Sequence, residues 1–305
     1  YVRPVPELQK TRSLSGSAYI DFVVNKTVIN PNYRGNKTEL AKITGTIDSV
    51  KNDKDITVTA LSIKGFASPE GSYENNTRLA KERTEALKKY VQNLYHFEPD
   101  FIQTSYEPED WVGLRKFVET SSLPNKDAII SLIDGNREPD NKEWMIKSTY
   151  ADDYQVMYKQ CYPALRHSDY KIEYTIRAYT DIEEIKRVFA ESPQKLSLEE
   201  FYILAQLYDN NSRELNDIFE TAVRMYPNDQ VANLNAAISE MQNGDLTSAE
   251  PHLKKAGDSA EAVYARGIYA AFVKDYDNAL ELLEKAKEMG IVEAADAIEQ
   301  INEIK

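Results

Sequence analysis

The sequence contains little cysteine, no surplus of positive charge and no long apolar run. Cys161 is the only cysteine among 305 residues, which excludes an intrachain disulfide and a cysteine-based zinc site. Lys and Arg number 37 against 50 Asp and Glu, so the formal charge is −13 and a clamp on nucleic acid is excluded. The longest apolar clusters, such as Ile268 to Val273, are much shorter than the roughly 18 residues that cross a bilayer. We therefore expect no nucleic-acid partner and no membrane-spanning segment.

Signatures of catalysis and of metal binding are also missing. His96, His167 and His252 stand in different segments, without the spacing of an H-E-x-x-H zinc motif. The chain has no G-x-S-x-G elbow, no phosphate loop and no Cys-His signature. Carboxylates are abundant, but a glycan hydrolase needs two of them facing each other across a deep cleft. We expect no catalytic residue, no metal and no cofactor, and hence a protein that is not an enzyme.

The chain does contain enough apolar material for packed cores, with 42% hydrophobic and 10% aromatic residues. This composition argues against disorder, and at roughly 100 to 200 residues per domain the length favours two domains. Residues 1–6 include neither Met nor an apolar signal core, which favours a processed or truncated piece. Membrane association is then expected only through a segment absent from this chain. The single cysteine is compatible with the cytosol and with an oxidising compartment.

The first part of the chain alternates between strand-like and helix-like patterns, and we expect residues 1–16 to be an N-terminal extension. β-Branched runs, turn signals and helical spacing of apolar residues define the boundaries. The predicted elements are a strand over 18–24, a helix over 37–51, a strand over 56–63, a helix over 72–94 and a strand over 101–106. This βαβαβ order indicates an α+β domain over 17–180, with helices packed against a sheet.

A long insertion precedes the end of this domain. Residues 108–165 contain four predicted helices, around 111–118, 129–133, 144–146 and 154–158, and their sequence carries no recognisable chemistry. The segment 170–179 alternates with period two and predicts a half-buried strand that returns to the sheet.

The remainder of the chain, 181–305, is predicted to be all-α and contains an internal repeat. The pattern Ala-x3-Leu-x2-Ala occurs at 249–256 and again 30 residues later at 279–286, with an earlier copy over 201–227. These spacings resemble tetratricopeptide repeats over roughly 196–290. The interval of about 30 residues departs from the usual 34. The resemblance implies paired helices and a protein partner bound through the helical repeats.

The most informative segment is 65–83, between the second strand and the long helix. It resembles the signature G-(H/Y/F)-(T/A)-D-x-x-G-x4-N-x2-L-(S/A)-x2-R of the OmpA-like C-terminal domain, which binds peptidoglycan. The residues that match in type and spacing are Gly65, Phe66, Ala67, Gly71, Asn76, Leu79, Ala80 and Arg83. The resemblance implies an OmpA-like βαβαβ sandwich over about 17–179, interrupted by the helical insertion.

The matched residues also have physical roles of their own. Gly65 and Gly71 are expected to let the backbone turn sharply, and a helix that begins beside such a loop attracts carboxylates. Asn76 and Arg83 are seven residues apart, close to two helical turns, so their side chains project from one face. A guanidinium in that position can hold a carboxylate through two hydrogen bonds.

The resemblance implies that Arg83, supported by Asn76, grips the zwitterionic end of diaminopimelate in the peptidoglycan stem peptide. Ala67, Ser68, Glu70 and Gly71 complete the expected site. At position 68 the family has an acid, and a serine there cannot neutralise an ammonium group. Our hypothesis is that Glu70 supplies the missing charge from the same loop.

These features together predict a non-enzymatic envelope protein that binds peptidoglycan, with a helical repeat domain for protein contacts. The expected location is the periplasm of a Gram-negative bacterium, in association with the outer membrane, since Ala-Ser-Pro-Glu-Gly at 67–71 is similar to a variant in envelope proteins of the Bacteroides group. The alternative is an envelope scaffold or assembly protein whose peptidoglycan site is degenerate, which Ser68 favours.

Overall fold

The computed structural model describes residues 1–23 and 26–304. These residues form an α+β structure with a four-stranded mixed sheet and fourteen α-helices. The chain divides into two compact units, which we name the sheet unit (residues 11–177) and the helical unit (residues 1–10 together with 178–305). No helix among the described residues has both the length and the apolar character that a bilayer crossing requires.

The sheet unit contains two strand–helix pairs, a third strand, a block of helices and a final strand. The strands are β1 (Lys10–Ala18), β2 (Ile56–Phe66), β3 (Ile102–Glu107) and β4 (Ser168–Ile176). The helices that follow the first two strands are α1 (Asn36–Lys51) and α2 (Tyr73–Tyr95). The predicted helices at 37–51 and 72–94 and the predicted strands at 56–63, 101–106 and 170–179 are confirmed, with boundaries shifted by a few residues.

The strand order in the sheet is β1-β4-β2-β3, so the last strand in sequence lies in the interior. β3 runs parallel to β2, with Ile102 opposite Leu61, and β4 runs antiparallel to β2, with Tyr170 opposite Ile63. Helices α1 and α2 contribute the apolar stripes that cover this sheet. The shared core includes Leu40, Ile43, Ile47, Leu61, Ile63, Leu87, Val91, Ile102 and Ile172.

The predicted position of the first strand, 18–24, is wrong. Strand β1 ends at Ala18, and residues 10–16, which the sequence assigns to an extension, form most of it. Leu14 is the one large apolar residue in this strand, and the side chains between Lys10 and Ala18 alternate between partial burial and exposure to solvent. The apolar residues Ile20 and Phe22 pack on the core without strand pairing. Val24 lies outside the described residues.

The insertion forms four helices, as predicted, and the structure shows that they share a core. They are α3 (Trp111–Thr120), α4 (Lys126–Asp134), α5 (Pro139–Thr149) and α6 (Ala151–Gln160), followed by a 3₁₀ turn (Tyr162–Leu165). Their buried side chains include Leu114, Val118, Ile129, Ile146, Met157 and Tyr162. The insertion is therefore a packed subdomain of the sheet unit.

The described part of the helical unit contains eight α-helices after residue 178. They are α7 (Ile182–Glu191), α8 (Leu198–Ala205), α9 (Arg213–Met225), α10 (Gln230–Gln242), α11 (Leu246–Leu253), α12 (Ala260–Phe272), α13 (Tyr276–Glu288) and α14 (Glu293–Ile304). Helices α10 and α12 begin 30 residues apart, as do α11 and α13. The 30-residue interval in the sequence is thus an interval between successive helix pairs.

Candidate binding pocket beside the loop after β2

The loop over 67–72 connects β2 to α2 and shapes one side of a pocket. Gly71 has φ +87°, a left-handed conformation that glycine adopts without a steric penalty. Ser72 then caps α2 by accepting a hydrogen bond from the Asn75 backbone N–H. Gly65 has a different role from the predicted turn: it lies within β2, where an added Cβ would be 1.8 Å from Thr84 Oγ1. Its missing side chain lets α2 pack closely on the strand.

The pocket has a volume of about 730 Å³ and lies within the sheet unit. Its walls come from the 67–72 loop, the first turns of α2, helices α5 and α6, and the segment before β4. All six residues of the predicted site line it: Ala67, Ser68, Glu70, Gly71, Asn76 and Arg83. The structure therefore brings the predicted residues together around one open space.

Arg83 is the basic group on the α2 side of the pocket. Its Nε atom is buried and has no hydrogen-bond partner among the described residues. The guanidinium lies over the Phe22 ring, 5.1 Å from the ring centroid. Burial lowers the pKa of Arg83 from its ordinary value, and the nearby charges of Arg166 and Arg78 lower it further. An arginine still keeps its charge at neutral pH, so this group remains a strong donor to an anion.

Ser68 and Glu70 are both held by Arg166, a residue that the sequence analysis missed. Arg166 Nε donates to Ser68 Oγ at 2.9 Å, and its Nη2 forms an ion pair with Glu70 Oε1. The second carboxylate oxygen of Glu70, Oε2, is buried without a hydrogen-bond partner among the described residues. Glu70 thus lies in the same pocket as Arg83, but the ion pair it forms is with Arg166.

Asn76 connects the pocket to a buried carboxyl group. Its Nδ2 donates to Glu109 Oε1 at 2.8 Å, and Trp111 Nε1 donates to Glu109 Oε2 at 2.8 Å. Burial raises the pKa of Glu109 to about 7, the two hydrogen bonds oppose this shift, and nearby Asp140 and Glu143 reinforce it. The Asn76 amide nitrogen is thus engaged within the protein, which gives Asn76 a structural role beside the pocket.

The far wall of the pocket belongs to the insertion. Asp140, Glu143, Trp144 and Lys147 line the pocket at spacings of three, four and seven along α5, so they share one helical face. Asp140 Oδ1 accepts from the Tyr73 backbone N–H at 2.7 Å, which ties α5 to the start of α2. The sequence spacing of these four residues predicts that they share a helical face, but it does not predict which part of the protein that face meets.

Two aromatic rings of this wall are accessible to a ligand. The side chain of Trp144 is 63% exposed and that of Tyr158 is 44% exposed, and both line the pocket. Tyr154, also at the pocket, donates its hydroxyl to Glu143. The wall therefore offers apolar surface beside two carboxylates.

A scan against models of known protein families finds no match to this chain, and a search of curated proteins finds no match either. Among residues 1–23 and 26–304, no group of three or more His, Cys, Asp or Glu side chains has the arrangement of a metal site. What the pocket offers is a buried cationic donor, a buried anionic acceptor, a second acidic wall and exposed rings. Such a set can bind a ligand that carries both a carboxylate and an ammonium group.

Proposed function

We propose that the sheet unit is an OmpA-like domain that binds the diaminopimelate residue of the peptidoglycan stem peptide without catalysing a reaction. The observation that carries this proposal is that two residues lining one pocket of about 730 Å³, Arg83 and Glu70, each have a buried side-chain atom, Nε and Oε2, without a hydrogen-bond partner among the described residues. Buried polar atoms are costly when unpaired, so a site with one donor and one acceptor is complementary to a zwitterion.

The ligand carboxylate is expected to bind at the α2 side of the pocket. Arg83 supplies the opposite charge, and the helix dipole at the N-terminus of α2 adds a favourable potential for an anion. Arg166, already paired with Glu70, contributes positive charge to the same region.

The ligand ammonium group needs an acid, and position 68 does not provide one. Glu70 Oε2 is buried without a hydrogen-bond partner among the described residues, and Asp140 and Glu143 lie on the opposite wall of the pocket. We therefore assign the function of the missing family acid to Glu70, supported by the acidic face of α5. On this proposal the insertion completes the ligand site, which explains why a subdomain is placed between β3 and β4.

A pull-down on purified sacculi tests this proposal. The parent protein is expected to sediment with diaminopimelate-type peptidoglycan, and Arg83→Ala is expected to lose most of that binding. Arg78→Ala is the matched control, because this substitution removes the same charge from the same helix. Arg78 does not line this pocket and pairs with Glu82. Equal loss in both variants, or binding that Arg83→Ala leaves unchanged, would contradict the assigned site.

The second candidate is a scaffold that retains the fold without binding peptidoglycan. It is favoured by one observation: Arg166 already occupies Ser68 Oγ and one oxygen of Glu70. Failure of the folded parent to bind any sacculi would support this candidate. Under either proposal the protein belongs to the Gram-negative cell envelope, in the periplasm near the outer membrane, and the helical unit contacts another protein.

A further inference from the structure

The chain enters the insertion and leaves it at two neighbouring points of the sheet unit. The entry connects β3 to α3, and the exit connects the 3₁₀ turn to β4. At the entry, the Asp110 backbone N–H donates to the Ala67 carbonyl at 2.9 Å. At the exit, the His167 carbonyl accepts from the Phe66 backbone N–H at 2.8 Å. Both points are therefore attached to the end of β2.

The insertion has an apolar core of its own. Its core cluster and that of the sheet share no member among the described residues. Away from the entry and the exit, the Tyr73 backbone N–H donates to Asp140 and so joins α2 to α5. A body that packs on its own core and meets its neighbours through hydrogen bonds can move relative to them without opening a core.

The side chain of His167, at the exit, contacts the entry. Its Nε2 lies 3.2 Å from Asp110 Oδ2, and its Nδ1 lies 3.0 Å from Asp169 Oδ1. The ring also stacks on Phe66, with the centroids 4.3 Å apart. The side chains of His167 and Asp110 are 13% and 10% exposed, so their contact is shielded from water.

The two carboxylates favour the protonated form of His167. A neutral imidazole has one N–H donor, so one of its nitrogens would present a lone pair to a carboxylate oxygen. Only the imidazolium donates to Asp110 and to Asp169 at the same time. Burial by itself lowers the pKa of His167, but the hydrogen bond to Asp110 and the charges of Asp169 and Asp110 outweigh burial, so the pKa is raised above its ordinary value.

Other titratable and charged groups surround this contact. Lys64 pairs with Glu107 at 3.3 Å, and Arg166 pairs with Glu70, so these four charges offset one another. The groups that face the contact, besides the two aspartates, are Lys64 of β2, Glu107 of β3, Arg83 of α2, Glu70 of the 67–72 loop, Arg166 at the exit, Tyr19 after β1 and Cys161 after α6.

Glu109, at the entry, titrates with the same effect on the attachment. Burial raises its pKa to about 7, and it faces the charges of Asp140 and Glu143 on α5. When Glu109 loses its proton, a third negative charge is added beside those two. When His167 loses its proton, an attraction between exit and entry is removed. Both changes weaken the attachment of the insertion as the pH rises.

We propose that His167 is a pH-sensitive latch, which holds the insertion against the 67–72 loop and α2 when it is protonated and releases it when it is neutral. Release moves the wall formed by α5 and α6 away from Arg83 and Glu70, which separates the two charged sides of the pocket. The consequence for peptidoglycan rests on the proposed function, and binding is expected to be stronger at pH 6 than at pH 8.5. The movement itself does not depend on the identity of the ligand.

Nuclear magnetic resonance tests the protonation of His167. The chain has three histidines, so a His167→Gln variant, or the contact of the ring with Phe66, assigns its nitrogen signals. We expect His167 to titrate above the ordinary imidazole pKa of about 6.5. Asp110→Asn is expected to lower the midpoint. This change removes the charge and keeps the cap of α3, because asparagine also accepts the Gly113 N–H.

Asp181→Asn is the matched control for this substitution. Asp181 caps α7 in the helical unit by accepting the Glu184 N–H, so the same change of side chain is made at a cap away from the latch. The midpoint of His167 should be the same in this variant as in the parent.

Hydrogen–deuterium exchange at pH 6 and pH 8.5 tests the release. Glu109→Gln protein is used, so that His167 is the group whose titration is followed, and rates are corrected for the intrinsic pH dependence of exchange. The Asp110 and Tyr73 amides donate across the boundary of the insertion. They are expected to exchange about tenfold faster at pH 8.5, which corresponds to the loss of one charge-assisted hydrogen bond. Adding Asp110→Asn should give the faster exchange at both pH values.

Two results would overturn the latch. One is a His167 midpoint at or below the ordinary imidazole pKa, which is measured on the parent and needs no variant to fold. The other is corrected exchange of the Asp110 and Tyr73 amides that is equal at the two pH values.

The pull-down on sacculi at both pH values separates this proposal from the proposed function. Stronger binding at pH 6, reduced by Asp110→Asn and unchanged by Asp181→Asn, would support control of the pocket by the latch. Equal binding at the two pH values would overturn that control. Absence of binding at both would contradict the proposed function, and the exchange rates would still decide whether the latch opens.

Discussion

At the scale of single residues, the pocket combines two charged side chains, Arg83 and Glu70, that each have a buried atom without a hydrogen-bond partner among the described residues. A buried guanidinium nitrogen or carboxylate oxygen without a partner destabilises the fold, and Arg83 and Glu70 each contribute one such atom at the same pocket. Unpaired buried polar groups of this kind are often found at functional sites, where a bound ligand can supply the missing hydrogen bond. The local arrangement at Ser68 differs, because its hydroxyl is already bonded to Arg166.

Glu109 gives the pocket region a dependence on pH. Its carboxyl has a pKa of about 7 in the folded protein, above the ordinary value of a glutamate, because it is buried. At a pH between the ordinary glutamate pKa and the pKa in the folded protein, Glu109 is ionised in the unfolded chain and protonated in the folded chain. The free energy of unfolding therefore falls as the pH rises through this range.

The expected loss from pH 5.5 to pH 7.5 is about 2 kcal/mol of unfolding free energy, from about 1.4 kcal/mol per pKa unit. Urea unfolding of the parent and of Glu109→Gln at both pH values measures it. The glutamine variant cannot titrate, so its pH dependence should be smaller by this amount. Parallel pH profiles for the two proteins would show that Glu109 does not carry the effect.

The residues of the loop and of α2 could be predicted from the sequence because they are adjacent in the chain. The spacing of Asn76 and Arg83 on one helix, and the short loop from Ala67 to Gly71, place them together for local reasons. Arg166 and the α5 face could not be predicted, because nothing local records which surface of an inserted helix meets the loop. The hydrogen bond of Asn76 to Glu109 depends on the same long-range packing.

At the scale of elements, close packing at glycines fixes how helices meet their neighbours. Gly65 lets α2 approach β2, and Gly267 lets α12 approach α13. An alanine Cβ at position 267 would lie 2.8 Å from Leu283 Cγ, which is closer than such atoms come in folded proteins. The glycine at position 267 is therefore a packing requirement of this helix pair.

Gly267→Ala is expected to destabilise the helical unit by about 1 to 3 kcal/mol, because the helices must move apart or Leu283 must change rotamer. Gly45→Ala in α1 is the matched control, since no neighbouring atom lies within 4 Å of its added Cβ. That change should stabilise the sheet unit by about 0.5 to 1 kcal/mol through helix propensity. Thermal unfolding of both variants tests whether the two changes in stability have opposite signs. Destabilisation by both substitutions would contradict the argument.

Strand β1 shows where pattern analysis fails for an element. Its sequence, Lys-Thr-Arg-Ser-Leu-Ser-Gly-Ser-Ala, has few β-branched or apolar residues, so neither propensity nor alternation predicts a strand. Its pairing with β4 is what makes it a strand. The helices α1 and α2 were predictable because each carries a stripe that buries against the sheet.

At the scale of the whole molecule, the division into a sheet unit and a helical unit follows from the change of sequence pattern near residue 180. The assignment of residues 1–10 to the helical unit cannot be predicted from this change of pattern, because it depends on contacts such as Asn235 with Val2 and Glu200 with Lys10. Pairings between positions more than 180 residues apart leave no mark in local periodicity. Segments of this kind are therefore invisible to analysis of the sequence alone.

The interior position of β4 has a consequence for biosynthesis. β4 separates β1 from β2, so neither can complete its hydrogen bonding until the whole insertion and β4 have been translated. Contacts this distant in sequence slow folding, and unpaired strand edges remain open to association in the meantime. Nascent chains arrested before Ser168 are expected to be cleaved readily by protease, whereas chains in which β4 has emerged from the ribosome should resist. Resistance before β4 has emerged would mean that the insertion and the first three strands reach a stable state without β4. The interval before β4 is synthesised would then carry no added risk of aggregation.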